Sequence, residues 1–457
     1  MAAPKELLDW IDASAPAFIT RLSEAVAIAS ISGDPAYRPR VLEMSNWLNK
    51  QLKAVGVITK QVDMGKHIMD GQTLELPPVV LGRIGEDPKK KTVLIYGHFD
   101  VQPASQSDGW ATDPFVLTEE KDGRLWHHET QTPLPVNLVF CFEGMEENGS
   151  EGLDELVEKE KDGWFKGVDC MCISDNYWLN TRTPALTYGL RGLVYFKITV
   201  SGPGRDLHSG VFGRMVHEPM TDLISLMSRL VAPDGTILIP GVDDMVSAAD
   251  NEEREIYARL DYSVADVDSS AGATSSITLS EDKVQTLMGR MRMPALSLHG
   301  IEGAFSGPGA KTVIPAKVAG KFSIRLVPPQ TPDKVEPLVK TYLESEFAKL
   351  GTKSKLEIEL LHSGKPWLAD WKHWNFAAAI KATETIYKRT PDLTREGGSI
   401  PVTLTFAEQL GVNVLLLPMG RGDDGAHSTN EKLDKSNYIE GTKLLGSYLY
   451  EVGAIAV

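Results

Sequence analysis

Four continuous apolar segments, each followed closely by acidic residues or histidine, constrain the fold of this chain more than any other feature. The segments are TVLIY (92–96), VNLVFCF (136–142), VDCMCI (168–173) and NVLLLPM (413–419). Continuous apolar runs of this length are typical of strands buried on both faces, in a parallel or mixed sheet covered by helices. Because ligands gather at the carboxyl ends of such strands, the residues that follow each run are the first candidates for a functional site.

The side chains that follow these four runs are of the kinds that bind metals. They are His98, Asp100, Glu146, Glu147, Asp175 and His427. Taken singly, a histidine after a strand is often a capped or core residue, and a glutamate pair is usually part of a solvated loop. Their coincidence at four strand ends favours one shared site, and imidazole with carboxylate ligands suits zinc or manganese. One of the two adjacent glutamates could bind metal while the other takes a proton from an attacking water.

The pattern of apolar residues changes between about residues 193 and 365. The segments LVYFKITVSG, AKVAGKFSIRLVP and KLEIELLHSG alternate apolar and polar residues, as half-exposed strands do. We therefore predict an α/β fold with two domains. The first is a mixed-sheet domain with helices on both faces, formed by residues 1–192 and 366–457, and the second is an inserted α+β domain of residues 193–365.

Helical periodicity accompanies these strands in both predicted domains. The periodic stretches are 4–28, about 36–56, 217–231 and 332–350. The polar, Asp-rich segment 232–292 has no clear period until its last third, and most of it receives no assignment.

Composition and charge exclude several classes of function. The chain has 457 residues, a net charge of −15 and a sequence pI of about 5.2, which argues against nucleic acid or an anionic membrane as a partner. No apolar run is long enough to predict a transmembrane helix, and the first residues lack the pattern of a signal peptide. The three cysteines, Cys141, Cys170 and Cys172, fit a reducing compartment, and we expect a cytoplasmic protein. Cys170 and Cys172 lie in an apolar run and are predicted to be core residues.

Eight longer motifs resemble one known family. They are HFDVQPA, FEGMEENGSEGLDEL, ISDNYWL, DLHSGVFG, TVIPAK, FSIRLVP, REGGSIPVT and GRGDDGAHSTNEKL. They are similar to the dipeptidases in the carnosinase-like branch of the co-catalytic zinc/manganese metallopeptidases, over nearly the whole chain. The resemblance implies a metallopeptidase domain with two divalent ions per subunit. It also implies an inserted lid that forms a homodimer, and cleavage of dipeptides such as Cys-Gly.

The resemblance also implies a role for each residue that matches a motif. His98 and Asp175 bind one metal, and Glu147 and His427 bind the other. Glu146 is the general base, and Asp100 holds His98. His208 stabilises the oxyanion in the partner subunit's site. The predicted substrate contacts are Thr312, Arg325 and Ser399. Arg325 suits the terminal carboxylate of the substrate.

One acid that the family uses is missing from this sequence. In the family, the strand that ends here at Trp126 continues into a Gly-Arg-Gly loop, an Asp-Asp-Lys-Gly turn and a helix, and one aspartate of that turn bridges both metals. This chain passes from Trp126 directly to HHETQTPLP, so about twenty residues are absent by comparison with the motif order. Two divalent ions about 4 Å apart repel by roughly 4 kcal/mol even in water, and a bridging carboxylate offsets that repulsion. We therefore expect the second ion to bind weakly or not at all, unless His127, His128 or Glu129 replaces the aspartate.

The sequence leaves three functions open. The first is an active dipeptidase of this family. The second is a catalytically impaired relative that retains only dimerisation and binding. The third is an amino-acid deacylase of the same architecture, which the SDNYWL and REGGSIP stretches make less favourable than the dipeptidase.

Overall fold

The computed structural model describes residues 2–118, 134–398 and 400–456. The junction after Trp126, with His127, His128 and Glu129, and the predicted substrate contact Ser399 lie outside these ranges. Within them, no helix is both long enough and apolar enough to cross a membrane.

The helices of the described residues include all four that the periodicity predicts. In chain order they are α1 (Lys5–Val26), α2 (Arg38–Ala54), α3 (Leu153–Glu160), α4 (Ser209–Phe212), α5 (Pro219–Met227), α6 (Asn251–Arg259), α7 (Val264–Ser270), α8 (Lys283–Met291), α9 (Pro332–Lys349), α10 (Trp374–Tyr387), α11 (Pro401–Leu410) and α12 (Lys435–Gly453).

The strands include the four continuous apolar runs. In chain order they are β1 (Ile58–Val62), β2 (Lys66–Met69), β3 (Gln72–Glu75), β4 (Val79–Ile84), β5 (Thr92–His98), β6 (Asn137–Glu143), β7 (Cys170–Ile173), β8 (Ala185–Leu190), β9 (Gly192–Ser201), β10 (Leu207–His208), β11 (Ala295–Glu302), β12 (Val313–Ile314), β13 (Lys317–Leu326), β14 (Lys355–Gly364), β15 (Trp367–Leu368), β16 (Asp392–Glu396) and β17 (Asn413–Leu416).

The chain forms two compact units. The first contains residues 1–188, 369–394 and 402–457, and the second contains residues 189–368 and 395–401. The sequence placed the boundaries at 192/193 and 365/366, only a few residues away. It did not assign the short segment 395–401 to the inserted unit.

The large sheet of the first unit places the four apolar runs side by side. The strand order is β1-β4-β6-β5-β7-β17-β8-β15, with β16 paired to β8, and the chain passes into the second unit within β8. β6, β5, β7 and β17 are parallel neighbours, whereas β4 and β8 pair antiparallel to the ends of this group. The carboxyl ends of the four parallel strands therefore meet at one edge, which is where the predicted site residues follow them.

Alternate residues of β5 pack against helices on opposite faces of the sheet. Val93 belongs to a core cluster that contains Phe376 of α10 and Tyr448 of α12. Tyr96 contacts the ring of Phe406 on α11, with the ring centroids 5.8 Å apart. Strands buried on both faces explain why these runs are continuously apolar. The predicted mixed α/β fold is confirmed, and Cys170 and Cys172 are core residues as expected.

The second unit is built on an antiparallel sheet of order β11-β13-β9-β14. Its core lies between one face of this sheet and the helices α5 and α9, as shown by the buried cluster of Phe196, Phe322, Leu223 and Val339. The alternation along β9 places every second side chain in this core, which confirms the half-exposed strands expected from the sequence.

The segment without a sequence assignment contains α6, α7 and α8. Each of these helices begins at a side-chain cap, in which Asp250, Ser263 or Asp282 accepts a hydrogen bond from the backbone N–H three residues later. The spacing of Ser263 and Asp266 forms a capping box. These caps were the available sequence signal for helices whose apolar periodicity is weak.

Candidate metal centre

His98 and Asp175 come together at the ends of two adjacent parallel strands. His98 is the last residue of β5, and Asp175 follows β7 by two residues. The His98 Nε2 atom lies 3.5 Å from the Asp175 Oδ1 atom, and the Nδ1 atom lies 3.0 Å from the backbone oxygen of Asp100. Burial lowers the pKa of His98, but hydrogen bonds and charges from Asp100 and Asp175 outweigh it and hold the pKa well above its ordinary value.

Asp100 organises the loop that carries the two glutamates. Its side chain is almost completely buried, and its two oxygens accept hydrogen bonds from the backbone N–H groups of Glu146 and Glu147, at 3.2 and 3.1 Å. The hydroxyl of Ser32 donates a third hydrogen bond to this carboxylate, at 2.6 Å. The Asp100 Oδ1 atom also lies 3.4 Å from His98 Nδ1. The residue predicted to hold His98 therefore fixes the glutamate loop as well.

Glu146 has the pKa of a base that can work near neutrality. Burial raises its pKa to about 7, and the charges of Asp175 and Glu147 add to this effect while His98 opposes it. A carboxyl with a pKa near the working pH can both accept and return a proton.

Glu147 and His427 form a second histidine–carboxylate pair. Glu147 is largely buried and its Oε2 atom accepts a hydrogen bond from the side chain of Gln102, at 2.7 Å. The same oxygen lies 3.4 Å from His427 Nε2. His427 itself is 66% exposed and has a backbone φ of 57°, in the left-handed region that few non-glycine residues adopt.

A lysine at the centre of three carboxylates holds the loop that carries His427. The Lys432 Nζ atom lies 3.2, 3.0 and 2.9 Å from carboxylate oxygens of Asp423, Asp424 and Asp434. Asp424 is buried and also accepts a hydrogen bond from the backbone N–H of Arg421. These three aspartates have the spacing of a cation site, and the ammonium group of Lys432 supplies that cation. We call Lys432 with these three aspartates the lysine clamp.

The two histidine–carboxylate pairs fit the metal ions that the resemblance implies. Two ligands of one tetrahedral ion, each about 2.1 Å from it, lie about 3.4 Å apart. The donor separations of 3.5 Å for His98 with Asp175 and 3.4 Å for Glu147 with His427 agree with this spacing. Both separations are too long for good hydrogen bonds, and the mixture of imidazole and carboxylate suits zinc or manganese. Each pair supplies two ligands.

In the second unit, His208 and Thr312 lie on paired strands. His208 pairs with Val313 across β10 and β12, and the backbone N–H of Ser209 donates to the backbone oxygen of Thr312, at 3.2 Å. The exposed imidazole of His208 accepts a hydrogen bond at Nδ1 from the backbone N–H of Gly210, at 3.0 Å. Because Nδ1 is an acceptor, the neutral ring carries its proton on Nε2, where it can donate to another group.

Arg325 lies on β13 of the same unit, opposite Leu193 of β9. Its side chain is half-buried, and burial lowers its pKa below the usual value for arginine. A half-buried guanidinium group is suited to bind a carboxylate through two parallel hydrogen bonds. The structure thus brings together the predicted residues of the first unit, and His208 with Thr312 in the second. Arg325 lies near the far end of β13 from Lys317, and Ser399 lies outside the described residues.

Two features of the centre were missed by sequence reasoning. Ser32, which donates to Asp100, lies 68 residues away in the chain in a segment without any motif. The lysine clamp could have been recognised, because Lys432 and its three aspartates lie within twelve residues of one another, and all but Asp434 belong to the motif already noted for His427. A lysine placed among several acids in a loop is a usable sequence signal.

Comparison with known proteins identifies the family. Residues 94–451 match Peptidase family M20/M25/M40. The chain is 52% identical to the Cys-Gly metallodipeptidase of Schizosaccharomyces pombe, with 99% of this chain and 98% of that protein covered. It is 42% identical to the human Beta-Ala-His dipeptidase, with 99% and 93% covered.

Solved structures agree with this assignment. The crystal structure of human carnosine dipeptidase 1 superposes with a TM-score of 0.87 at 41% sequence identity, over the full length of both chains. Since both the family match and these relatives extend over most of the chain, the protein belongs to peptidase family M20/M25/M40.

Proposed function

We propose that this protein is a metal-dependent dipeptidase that hydrolyses small dipeptides such as Cys-Gly. The observation that carries the proposal is the meeting of two histidine–carboxylate pairs at one edge of the sheet, each with the donor spacing of two ligands of one ion. In this proposal His98 and Asp175 hold one divalent ion, and Glu147 and His427 hold the other. Zinc or manganese bound there would polarise the peptide carbonyl and make a water molecule nucleophilic.

Glu146 is the proposed general base. Its carboxylate takes a proton from the attacking water and passes it to the departing amine, for which a pKa of about 7 is well placed. Asp100 supports this role because it holds the backbone of Glu146 and Glu147 through two hydrogen bonds. The proton therefore moves on a carboxylate whose position is fixed before substrate arrives.

The second unit is proposed to supply the substrate contacts. Arg325 binds the terminal carboxylate, Thr312 and Ser399 contact the substrate, and the Nε2–H of His208 stabilises the developing oxyanion in the site of a partner subunit. The tautomer imposed by Gly210 supports the role of His208 as a hydrogen-bond donor.

A homodimer formed through the second unit is part of the proposal. Large apolar side chains are exposed near His208 and on the edge strand β11, including Val211, Met215, Leu298 and Ile301. Met215 is 75% exposed in the single chain, and a partner subunit that covered it would remove this apolar side chain from water. In analytical ultracentrifugation we expect the purified chain to sediment as a dimer and the Met215→Glu variant to sediment as a monomer.

We further propose that this chain lacks the segment that bridges its two metals. The alignments with the fission-yeast and human relatives extend over 471 and 474 positions, more than the 457 residues of this chain, which supports a deletion. Between Trp126 and Val136 the chain has nine residues, fewer than the loop, turn and helix of the family would require. The alternative function is accordingly an impaired dipeptidase that binds and dimerises but turns over slowly.

Hydrolysis of Cys-Gly by the purified chain tests the proposal. We expect turnover that depends on added manganese, is lost with a chelator and is lost in Glu146→Gln, while the exposed control Glu155→Gln retains it. Turnover that survives in Glu146→Gln would contradict the assignment of the base.

Restoring the missing segment tests the second proposal. A chain with the family's Gly-Arg-Gly to Asp-Asp-Lys-Gly segment and helix inserted after Trp126 should be faster by orders of magnitude. The matched control carries the same insertion with both aspartates replaced by asparagine. If both insertions give equal rates, the helix matters and the bridging carboxylate does not.

A further inference from the structure

The second unit contains a group of three arginines with fewer neighbouring carboxylates than positive charges. Arg191 lies between β8 and β9, Arg290 lies on α8, and Arg325 lies on β13. Arg191 and Arg325 are brought together by the register of β9 and β13, in which Arg325 lies opposite Leu193. The side chain of Arg191 donates to the backbone oxygen of Gly289, at 2.6 Å, which places it beside Arg290. We call these three residues the arginine cluster.

Glu396 is the carboxylate that contacts this cluster among the described residues. Its Oε2 atom lies 3.7 Å from a guanidinium nitrogen of Arg290, and its backbone oxygen accepts from the backbone N–H of Arg191. The neighbouring Arg292 and Arg395 share a different acid, Glu253, at 2.8 and 2.6 Å. Three guanidinium groups and one carboxylate leave the cluster with two positive charges in excess.

The excess charge is visible in the properties of Arg191. Burial, followed by repulsion from Arg325 and then Arg290, lowers the pKa of Arg191 to about 10, and Glu396 compensates only partly. The Nε atom of Arg191 is buried without a hydrogen-bond partner in the described part of the chain. A buried arrangement of like charges is costly unless an anion completes it.

Arg290 and Arg325 are the members that an anion can reach. The side chain of Arg290 is 40% exposed and Arg325 is half-buried, whereas Arg191 is buried behind them. The guanidinium group of Arg290 is held in place, because it lies 5.5 Å from the centre of the Tyr262 ring and also faces Glu396. A positioned arginine binds a carboxylate with little loss of side-chain entropy.

We propose that the arginine cluster is a subsite for two carboxylates, which selects dipeptides whose C-terminal residue is aspartate or glutamate. This subsite rests on the proposed function: Arg325 binds the terminal carboxylate of the substrate, and Arg290 binds the side-chain carboxylate. Arg191 supplies the positive charge behind both. Two carboxylates offset the two excess charges, whereas the single carboxylate of a neutral dipeptide leaves one of them uncompensated.

The test compares Gly-Glu with Gly-Gln, which have nearly the same shape and differ by one charge. Calorimetry on the full chain with chelator present, where no substrate is consumed, should show about tenfold or greater preference for Gly-Glu. The preference should disappear in Arg290→Met, return partly in Arg290→Lys, and persist in the control Arg254→Met, which removes an exposed arginine of the same unit. The difference in affinity between Gly-Glu and Gly-Gln should also decrease at high ionic strength.

The same ratio is then measured as kcat/KM with manganese. Equal affinities for the two dipeptides in the unaltered chain, or a preference that Arg290→Met leaves intact, would overturn the proposed subsite. Binding preference without turnover supports the subsite while it contradicts the proposed dipeptidase activity of this chain. Turnover of both dipeptides without a preference supports the dipeptidase activity and contradicts the subsite. The two proposals can therefore fail separately.

Discussion

The two histidine–carboxylate pairs of the candidate centre differ in how firmly the protein holds them. His98 has 19% of its side chain exposed and lies at the end of a central strand, against the buried carboxylate of Asp100. His427 is 66% exposed on a loop, with a left-handed backbone conformation, and the lysine clamp holds that loop from behind. The donor separations are nearly equal, so the difference lies in what surrounds each pair.

This difference matters because a metal site is most effective when its ligands are fixed in advance. The His98 pair needs little further ordering, since strands and buried hydrogen bonds already position it. The His427 pair depends on a loop, and in the deletion proposed above it also lacks a bridging carboxylate. We therefore expect the His98 pair to bind the tighter of any two ions, and the following predictions test that ranking.

The largest expected effect comes from Asp100→Asn. The change removes one negative charge and one acceptor from a buried group that receives three hydrogen bonds, so the free energy of unfolding should fall by about 3 kcal/mol. Manganese binding at both pairs should weaken, because Asp100 faces His98 and also holds the loop that carries Glu147. Urea unfolding and manganese titration measure the two effects, with the exposed Asp162→Asn as control. Unchanged metal binding in a folded Asp100→Asn variant would show that the loop is fixed by other contacts.

Lys432→Met should affect the His427 pair alone. Without the ammonium group the three aspartates repel one another, and the loop should lose the conformation that places His427 near Glu147. We expect the affinity of the weaker manganese site to fall roughly tenfold to a hundredfold, with the stronger site unchanged. Lys432→Arg should restore part of the loss. Equal weakening of both sites in a manganese titration followed by electron paramagnetic resonance would remove the distinction between the pairs.

Two glycine substitutions compare how much distortion the segment beside His98 and the loop of His427 tolerate. In Gly144→Ala the new Cβ would overlap the ring of Phe99, next to His98, and the substitution should cost about 2 kcal/mol of stability. In Gly425→Ala, on the His427 loop, the strain comes from a φ of 76° and should cost about 1 kcal/mol. Thermal unfolding of the metal-free variants compares them. A larger loss for Gly425→Ala would mean that the His427 loop tolerates less distortion than the segment beside His98.

Metal binding at the His98 pair should also depend on pH. Asp100 and Asp175 hold the pKa of His98 above its ordinary value, and a metal ion binds only the neutral ring, so the ion must displace a proton. Affinity should therefore rise with pH, by at most about tenfold per pH unit, until the pH exceeds that pKa. Manganese titrations between about pH 6 and about pH 8 measure this slope, which should be shallower in Asp175→Asn because that change removes one of the two charges that raise the pKa of His98. A flat profile would indicate that His98 is already neutral.

The sequence by itself determined the kind of fold and the candidate ligands. Runs such as TVLIY and NVLLLPM are apolar after their first residue because their strands are buried on both faces, and that pattern can be recognised without a structure. The residues after each run could be named because parallel strands bring their carboxyl ends to one edge.

The tertiary structure alone decided how those ligands are held. Ser32 reaches Asp100 across 68 residues, and the Asp100 carboxylate bonds the glutamate loop as well as facing His98. The arginine cluster joins residues from β13, α8 and the junction of β8 and β9, which no spacing in the sequence connects. Hydrogen bonds and charge interactions of this kind depend on distances between distant segments, and folding sets those distances only when the sheets and helices pack.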